Sequence, residues 1–262
     1  MKKVFQRIYS DLFLPSRLEE YKNLLIEALE NGYRIVSIEQ FYDVIVNKNI
    51  ENQNYLVLRH DIDTDASTAK LMFEVEKQLN VNASYYFRLS TINIPLMKEI
   101  HQFGSEVSYH YEEVASYAKQ YKIKNPNQIY DNLTKIQSLF SKNLEALRNA
   151  TGIPMEIVAS HGDFVNRYLK ITNCVILREA EFRDKNNIKL EVYDDSMMKY
   201  VTSRHSDCGY PVFWKPNSPK EAIKNHSPVI YILTHPRHWK ANIKENIKDD
   251  YIRLIEGIKY RN

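Results

Sequence analysis

The sequence predicts an α/β domain whose strands run parallel and are joined by crossover helices. Three observations carry this expectation. Short apolar runs bounded by polar turns alternate with longer segments whose apolar residues recur at helical spacing. Four of the apolar runs end in His or Asp: LVLRHDID (56–63), EVSYH (106–110), EIVASHG (156–162) and VIYILTH (229–235). Glycine is scarce, and neither GxGxxG nor GxxxxGK[ST] occurs, which argues against a dinucleotide or P-loop site.

The elements read as follows. Leu18, Tyr21, Leu24, Leu25, Ala28 and Leu29 form one apolar stripe over about 16–31, and Asn31-Gly32 stops that helix. A short strand at 33–37 and a helix at 38–47 complete a leading piece with no catalytic pattern of its own. Residues 56–63 read as a buried strand and 65–79 as a helix capped by Asp65. A strand at 83–88 and a helix at 95–103 closed by Gly104 come next, then a strand at 106–110. A long helix over about 127–149 is striped by Ile129, Leu133, Ile136, Leu139, Phe140, Leu144 and Leu147. A strand at 155–160 is followed by short extended pieces at 174–177, 189–193 and 200–203. Residues 229–233 (VIYIL) are the clearest buried strand, and a helix over about 241–258 is the last element.

Composition removes several function classes. The chain of 262 residues is 44% hydrophobic and 12% aromatic, enough for a sizeable core. Its net charge of +3 is spread out with no Lys/Arg block, so nucleic acid is not the expected partner. Cys174 and Cys208 lie far apart and form no CxxC, which argues against a disulfide framework or a thiolate zinc site. No stretch approaches membrane-span length. Gln6, Arg7 and Asp11 break the opening MKKVFQRIYSDLF, so no signal peptide is read there and a cytoplasmic protein is expected.

The stretch 56–65 (LVLRHDIDTD) is the most informative. If extended through Asp63, it places Arg59, Asp61 and Asp63 on one face and His60 on the other. Two carboxylates two residues apart repel unless a cation, a proton or an arginine intervenes. One reading is an Asp-rich turn capping the next helix; the other is a metal ligand and a general base on a common wall. The four polar strand ends favour the second. Parallel strands bring their C-terminal ends to one side, where α/β sites sit. Asp61, Asp63, His110, His161 and His235 can therefore converge, and carboxylate plus imidazole is a usual ligand set for catalytic zinc.

These residues resemble a family. Asp-x-Asp (61–63), GSEVSYHYEE (104–113), His161-Gly162, Ser206-Asp207-x-Gly209 and LTHPRHW (233–239) occur in the order seen in polysaccharide deacetylases of the NodB-homology type. The match runs from about Leu56 to Trp239, and residues 32–37 resemble the usual lead-in. The resemblance implies a distorted (β/α) barrel in one domain over 1–262, with 1–50 as lead-in and 51–262 as barrel core. It implies metal-dependent removal of an N-acyl group, acetyl by preference, from an amino sugar of a surface polysaccharide or its precursor. A non-catalytic carbohydrate-binding relative and a deformylase acting on a nucleotide-linked amino sugar are the alternatives.

By the same resemblance Asp61 is the base, Asp63 and His110 bind the metal and His235 is the acid, while Asp207 is either the orienting aspartate or a turn-forming Asp ahead of Gly209. The metal is Zn²⁺, with Ni²⁺ or Co²⁺ as substitutes. The family's second motif has a further histidine where this chain has Val114, which cannot bind metal. His161 is the first choice for the missing ligand, Glu113 the second and Glu112 the third. The family's base-pairing arginine is also missing, and Arg59 either replaces it or lies at a surface. His60 is expected to be structural, and His205, His226 and His238 to be loop residues without chemistry. Trp214 and Trp239 either wall a sugar groove or pack in the core.

Overall fold

The computed structural model describes residues 2–48, 50 and 53–261. Among the described residues nine strands form one sheet: β1 (Tyr33–Val36), β2 (Asn54–Ile62), β3 (Ser84–Phe87), β4 (Glu106–Tyr111), β5 (Ile157–Ser160), β6 (Leu190–Glu191), β7 (Ser203–Asp207), β8 (Trp214–Lys215) and β9 (Val229–Thr234). The order is β6-β5-β4-β3-β2-β9-β7-β8, with β1 against β2. Every pairing is parallel except β7 with β8. The α/β class is thus as the alternating pattern predicts.

β2 is the central strand and is shared unevenly. β9 pairs along one edge from Tyr55 to His60. On the other edge β1 covers 54–57 and β3 covers 59–62. The sheet curls into an open half-barrel. In a flat sheet the three steps from β2 to β5 would separate them by roughly 14 Å. Asp63, just past β2, and His161, just past β5, nevertheless approach to 3.1 Å.

The two faces of the sheet bury separate cores. Leu56, Leu58 and Ile62 of β2 join Tyr85, Val107 and Tyr109 against helices Leu18–Glu30, Ala66–Leu79 and Leu133–Thr151. The alternate residues Tyr55 and Val57 join Tyr86, Ala159, Leu190 and Tyr231 inside the curl. Helix Ile38–Val46 closes the N-terminal end of that interior. Its Ile38 N and Glu39 N donate to Ser84 Oγ and Glu106 Oε2 at the starts of β3 and β4. The opposite end is left to the polar strand termini.

Local signals explain most boundaries. Asp65 caps helix Ala66–Leu79 by accepting from Ser67 N and Thr68 N. Gly104 ends helix Ile94–Phe103 at φ +99°, a conformation that costs other residues a Cβ clash. Several expectations need correction. β2 ends at Ile62, so Asp63 lies in the bend that follows. The long helix is divided at Asn132 into Asn127–Asp131 and Leu133–Thr151. Residues 173–177 form a 3₁₀ turn and not an extended piece, and 200–202 precede β7. Helices Lys2–Leu12, Glu113–Gln120 and Pro219–Lys224 were not anticipated. The longest has 11 residues, so the apolar stripe of each spans about three turns at most.

Candidate active site

Three donor atoms meet at the C-terminal end of the sheet. Asp63 Oδ1 lies 3.3 Å from His110 Nε2 and 3.1 Å from His161 Nδ1, and the two imidazole nitrogens are 3.3 Å apart. His110 is the penultimate residue of β4, and its Nδ1 lies 3.0 Å from the Ala159 carbonyl on β5. A carbonyl only accepts, so Nδ1 carries the proton and Nε2 presents its lone pair to Asp63 in the neutral ring. Asp63 Oδ1 is itself buried without a hydrogen-bond partner among the described residues. A carboxylate oxygen, orphaned beside two imidazole nitrogens, is the environment a divalent cation satisfies. Zinc donors at 2.0–2.1 Å in a tetrahedron lie roughly 3.3 Å from each other, which matches this triangle. Burial pushes the Asp63 carboxyl up; His161 and His110, when they carry protons toward it, outweigh burial and hold it well below the ordinary carboxylate range.

Asp61 adjoins the triangle without completing it. Its Oδ2 is 3.4 Å from His110 Nε2. Both its oxygens are held by Arg59, Nε to Oδ1 at 2.7 Å and Nη2 to Oδ2 at 2.8 Å. This fork forms because Arg59 and Asp61 are two apart on one strand and share its inner face. Arg59 is fully buried, also donating to Tyr231 Oη at 3.0 Å, so it is not a surface arginine. Burial raises the Asp61 carboxyl, and Arg59, His110 and His235 more than offset it, leaving the group below its ordinary value.

His235 follows β9 on the other flank. Its Nδ1 lies 2.7 Å from Asp207 Oδ1, and its backbone N donates to Asp207 Oδ2 at 2.8 Å. Trp239 Nε1 also donates to Asp207 Oδ2, at 2.9 Å. Burial disfavours the imidazolium, but Asp207 outweighs it and lifts His235 to about 9. The value near neutrality that suits a proton donor is therefore exceeded. Asp207 is held well below the carboxylate range, against the effect of its burial, by His238 and His235.

The remaining candidates separate cleanly. Glu113 turns away and accepts from Tyr109 Oη and Asn143 Nδ2. Glu112 is clamped by Arg88, whose Nη1 also donates to the Asp63 carbonyl. Glu112 and Asp163 lie near His161 and form a second grouping that shares it. Val114 is buried in the outer core, so that position faces away from the site. His60 is buried against Glu76 and Thr234, as a structural residue. His205 is on β7, not in a loop, bonded to Ser203 and Asn217. Trp239 is fully buried and Trp214 nearly so, so both are core residues and neither walls a groove.

His238 was misread as a loop residue without chemistry. Its Nδ1 lies 3.0 Å from Asp207 Oδ1. The signal was in the sequence: His235-Pro236-Arg237-His238 forms a 3₁₀ turn, which eclipses residues three apart. The contribution of the first helix was also missed. A cleft of about 490 Å³ opens on Asp63, His235 and His238 and is lined from above by Gln6, Arg7, Ser10 and Asp11.

No protein-family model and no curated protein matches the chain. Among solved structures, the Xyl-CE4 domain of a multidomain xylanase from the hindgut metagenome of Trinervitermes trinervoides aligns at 12% identity. It covers 78% of this chain and 85% of its own, with a TM-score of 0.35. A polysaccharide deacetylase from Bacillus cereus aligns at 18% identity over 80% of this chain and 89% of its own, with a TM-score of 0.37.

Proposed function

We propose that the protein is a metal-dependent hydrolase that removes an N-acyl group, acetyl by preference, from an amino sugar of a surface polysaccharide or its precursor. The observation that carries this reading is the Asp63–His110–His161 triangle, with a bidentately held Asp61 on one side and the Asp207–His235 pair on the other. These are the parts amide hydrolysis requires: a Lewis-acid site, a base and an acid.

Asp63 Oδ1, His110 Nε2 and His161 Nδ1 would hold a divalent cation, Zn²⁺ by donor type, with Ni²⁺ or Co²⁺ fitting the same set. When bound, the cation supplies polarisation of the acyl oxygen and acidification of water. Asp61 accepts the proton released as water attacks the acyl carbon. Arg59 keeps that carboxylate ionised and fixes its orientation. His235, protonated at neutral pH, donates from Nε2 to the leaving nitrogen while Asp207 holds Nδ1–H. Arg88 braces the Asp63 backbone and ties it to Glu112, which keeps the bend after β2 in place.

The test is acetate release from N-acetylglucosamine oligomers by metal-reconstituted protein, with chelator-treated protein and Asp61→Asn as controls. Release that requires both metal and Asp61 supports the reading. Metal-loaded, folded protein that binds the oligomers but liberates no acetate from any N-acetylated sugar sinks it in favour of a carbohydrate-binding role.

A further inference from the structure

Beyond the cleft, two adjacent helices turn an apolar and cationic face to solvent. Helix Ile243–Arg261 carries Ile243, Ile247, Tyr251, Leu254 and Ile258 at spacings of four, four, three and four, which puts them on one side. All five are exposed, Leu254 by 60%. Helix Lys2–Leu12 packs beside it and exposes Val4, Phe5 and Ile8, with Phe5 at 69%. Between the helices runs a groove of about 420 Å³ lined mainly by Val4, Ile8, Leu12, Ile247, Tyr251 and Leu254. Scattered exposed apolar residues are ordinary, but a contiguous patch of this kind marks an interaction surface.

The acids of the two helices are all engaged within the protein: Asp11, Asp249 and Asp250 hold Arg237, Asp250 also meets Arg7 at the groove, Glu256 holds Lys119 and Glu245 holds Lys248. Lys244, Lys248, Lys259 and Arg261 on the same helix are exposed. Among the described residues, Lys244, Lys259 and Arg261 have no ion-pair partner. A second copy docking by twofold symmetry would bring the same unpaired cations to the interface with no unpaired acid of these helices to meet them. An anionic partner satisfies both features at once. At a bilayer surface the apolar stripe sinks to the acyl boundary while the lysines and arginine meet lipid phosphates. No described helix is long and apolar enough to cross a membrane, so the contact is at the interface.

We propose that the paired faces of helices Lys2–Leu12 and Ile243–Arg261 form a peripheral docking surface for an anionic phospholipid membrane. Helix Lys2–Leu12 supplies Gln6, Arg7 and Ser10 to the cleft that opens on His235, so docking sets the cleft mouth beside the headgroups.

Co-sedimentation of the full chain with vesicles tests this. Phosphatidylcholine vesicles containing phosphatidylglycerol should bind about tenfold or more tightly than pure phosphatidylcholine, and high salt should reverse the gain. Phe5→Ser with Leu254→Ser should abolish binding. Lys244→Glu with Lys259→Glu should remove the preference for anionic vesicles, with circular dichroism unchanged in both variants. Absence of binding to anionic vesicles, or binding that both variants retain, overturns the proposal. So does a stable dimer in solution that Phe5→Ser with Leu254→Ser dissociates while no vesicles are bound, since the patch then belongs to a second copy.

Discussion

Asp207 accepts from His235 twice, from the ring Nδ1 at 2.7 Å and from the backbone N at 2.8 Å, so one carboxylate fixes both the tautomer and the position of the imidazole. Asp207→Asn keeps the size of the side chain but removes the charge that stabilises the imidazolium. The expected outcome is a fall in kcat of about a hundredfold to ten-thousandfold with little change in KM. Steady-state kinetics on the metal-loaded variant measure it.

The same pair sets a pH limit. His235 is raised to about 9 from an ordinary value near 6.5, so its proton is fully present below 6.5 and is lost as pH rises through about 9. Activity should therefore fall on an alkaline limb near 9, and the stability that the Asp207–His235 pair contributes should fade over the same rise. In Asp207→Asn the limb should move toward neutrality. An unchanged limb in a pH–rate profile of that variant would assign the ionisation to another group.

Asp61→Asn should leave the cation in place while reducing the rate by about a hundredfold to ten-thousandfold, because Asp63, His110 and His161 are untouched. Elemental analysis alongside kinetics separates loss of base from loss of metal. A metal-loaded variant with full activity removes Asp61 from the base role.

Arg59 is fully buried and forked onto Asp61. Arg59→Met leaves a buried carboxylate without its partner, which costs about 3–5 kcal/mol. The Asp61 carboxyl should rise, since Arg59 is the largest influence holding it down. Denaturant unfolding gives the first effect. A shift of the acid limb of the pH–rate profile to higher pH gives the second.

The third ligand is open to a direct contrast. His161→Ala should weaken zinc binding by more than the about 10–100-fold typical of losing an outer-sphere partner. Glu113→Gln should leave zinc binding unchanged, because Glu113 is committed to Tyr109 and Asn143. Val114→His should not repair His161→Ala, since position 114 points into the outer core. Calorimetric zinc titration of the three proteins decides among them.

How far the sequence alone reaches can be seen in particular residues. Periodicity is local, so the alternation within 54–62 already divides Tyr55 and Val57 from Leu56 and Leu58, and the two faces of the sheet do bury those sets apart. Parallel strands share a C-terminal end, so the polar termini at 61–63, 110, 161 and 235 are legible as neighbours before any coordinates. The local pattern fails where an element is short. The turn at 173–177 reads as extended because five residues do not distinguish periods, and the helix at 2–12 is missed because its stripe is only Val4, Phe5, Ile8 and Leu12, most of it facing solvent.

The sequence by itself determined the α/β class, the polar strand ends and the candidates from which a cation site would be drawn. Tertiary structure decided which of them meet. Curvature of the sheet brings His161 across three strand spacings to Asp63, and the direction of each side chain from its own backbone turns Glu113 and Val114 away. It also buried Arg59 against Asp61 and swung His238 onto Asp207. Hydrophobic period is set by neighbours a few residues away, whereas curvature and rotamer depend on what packs from distant parts of the chain.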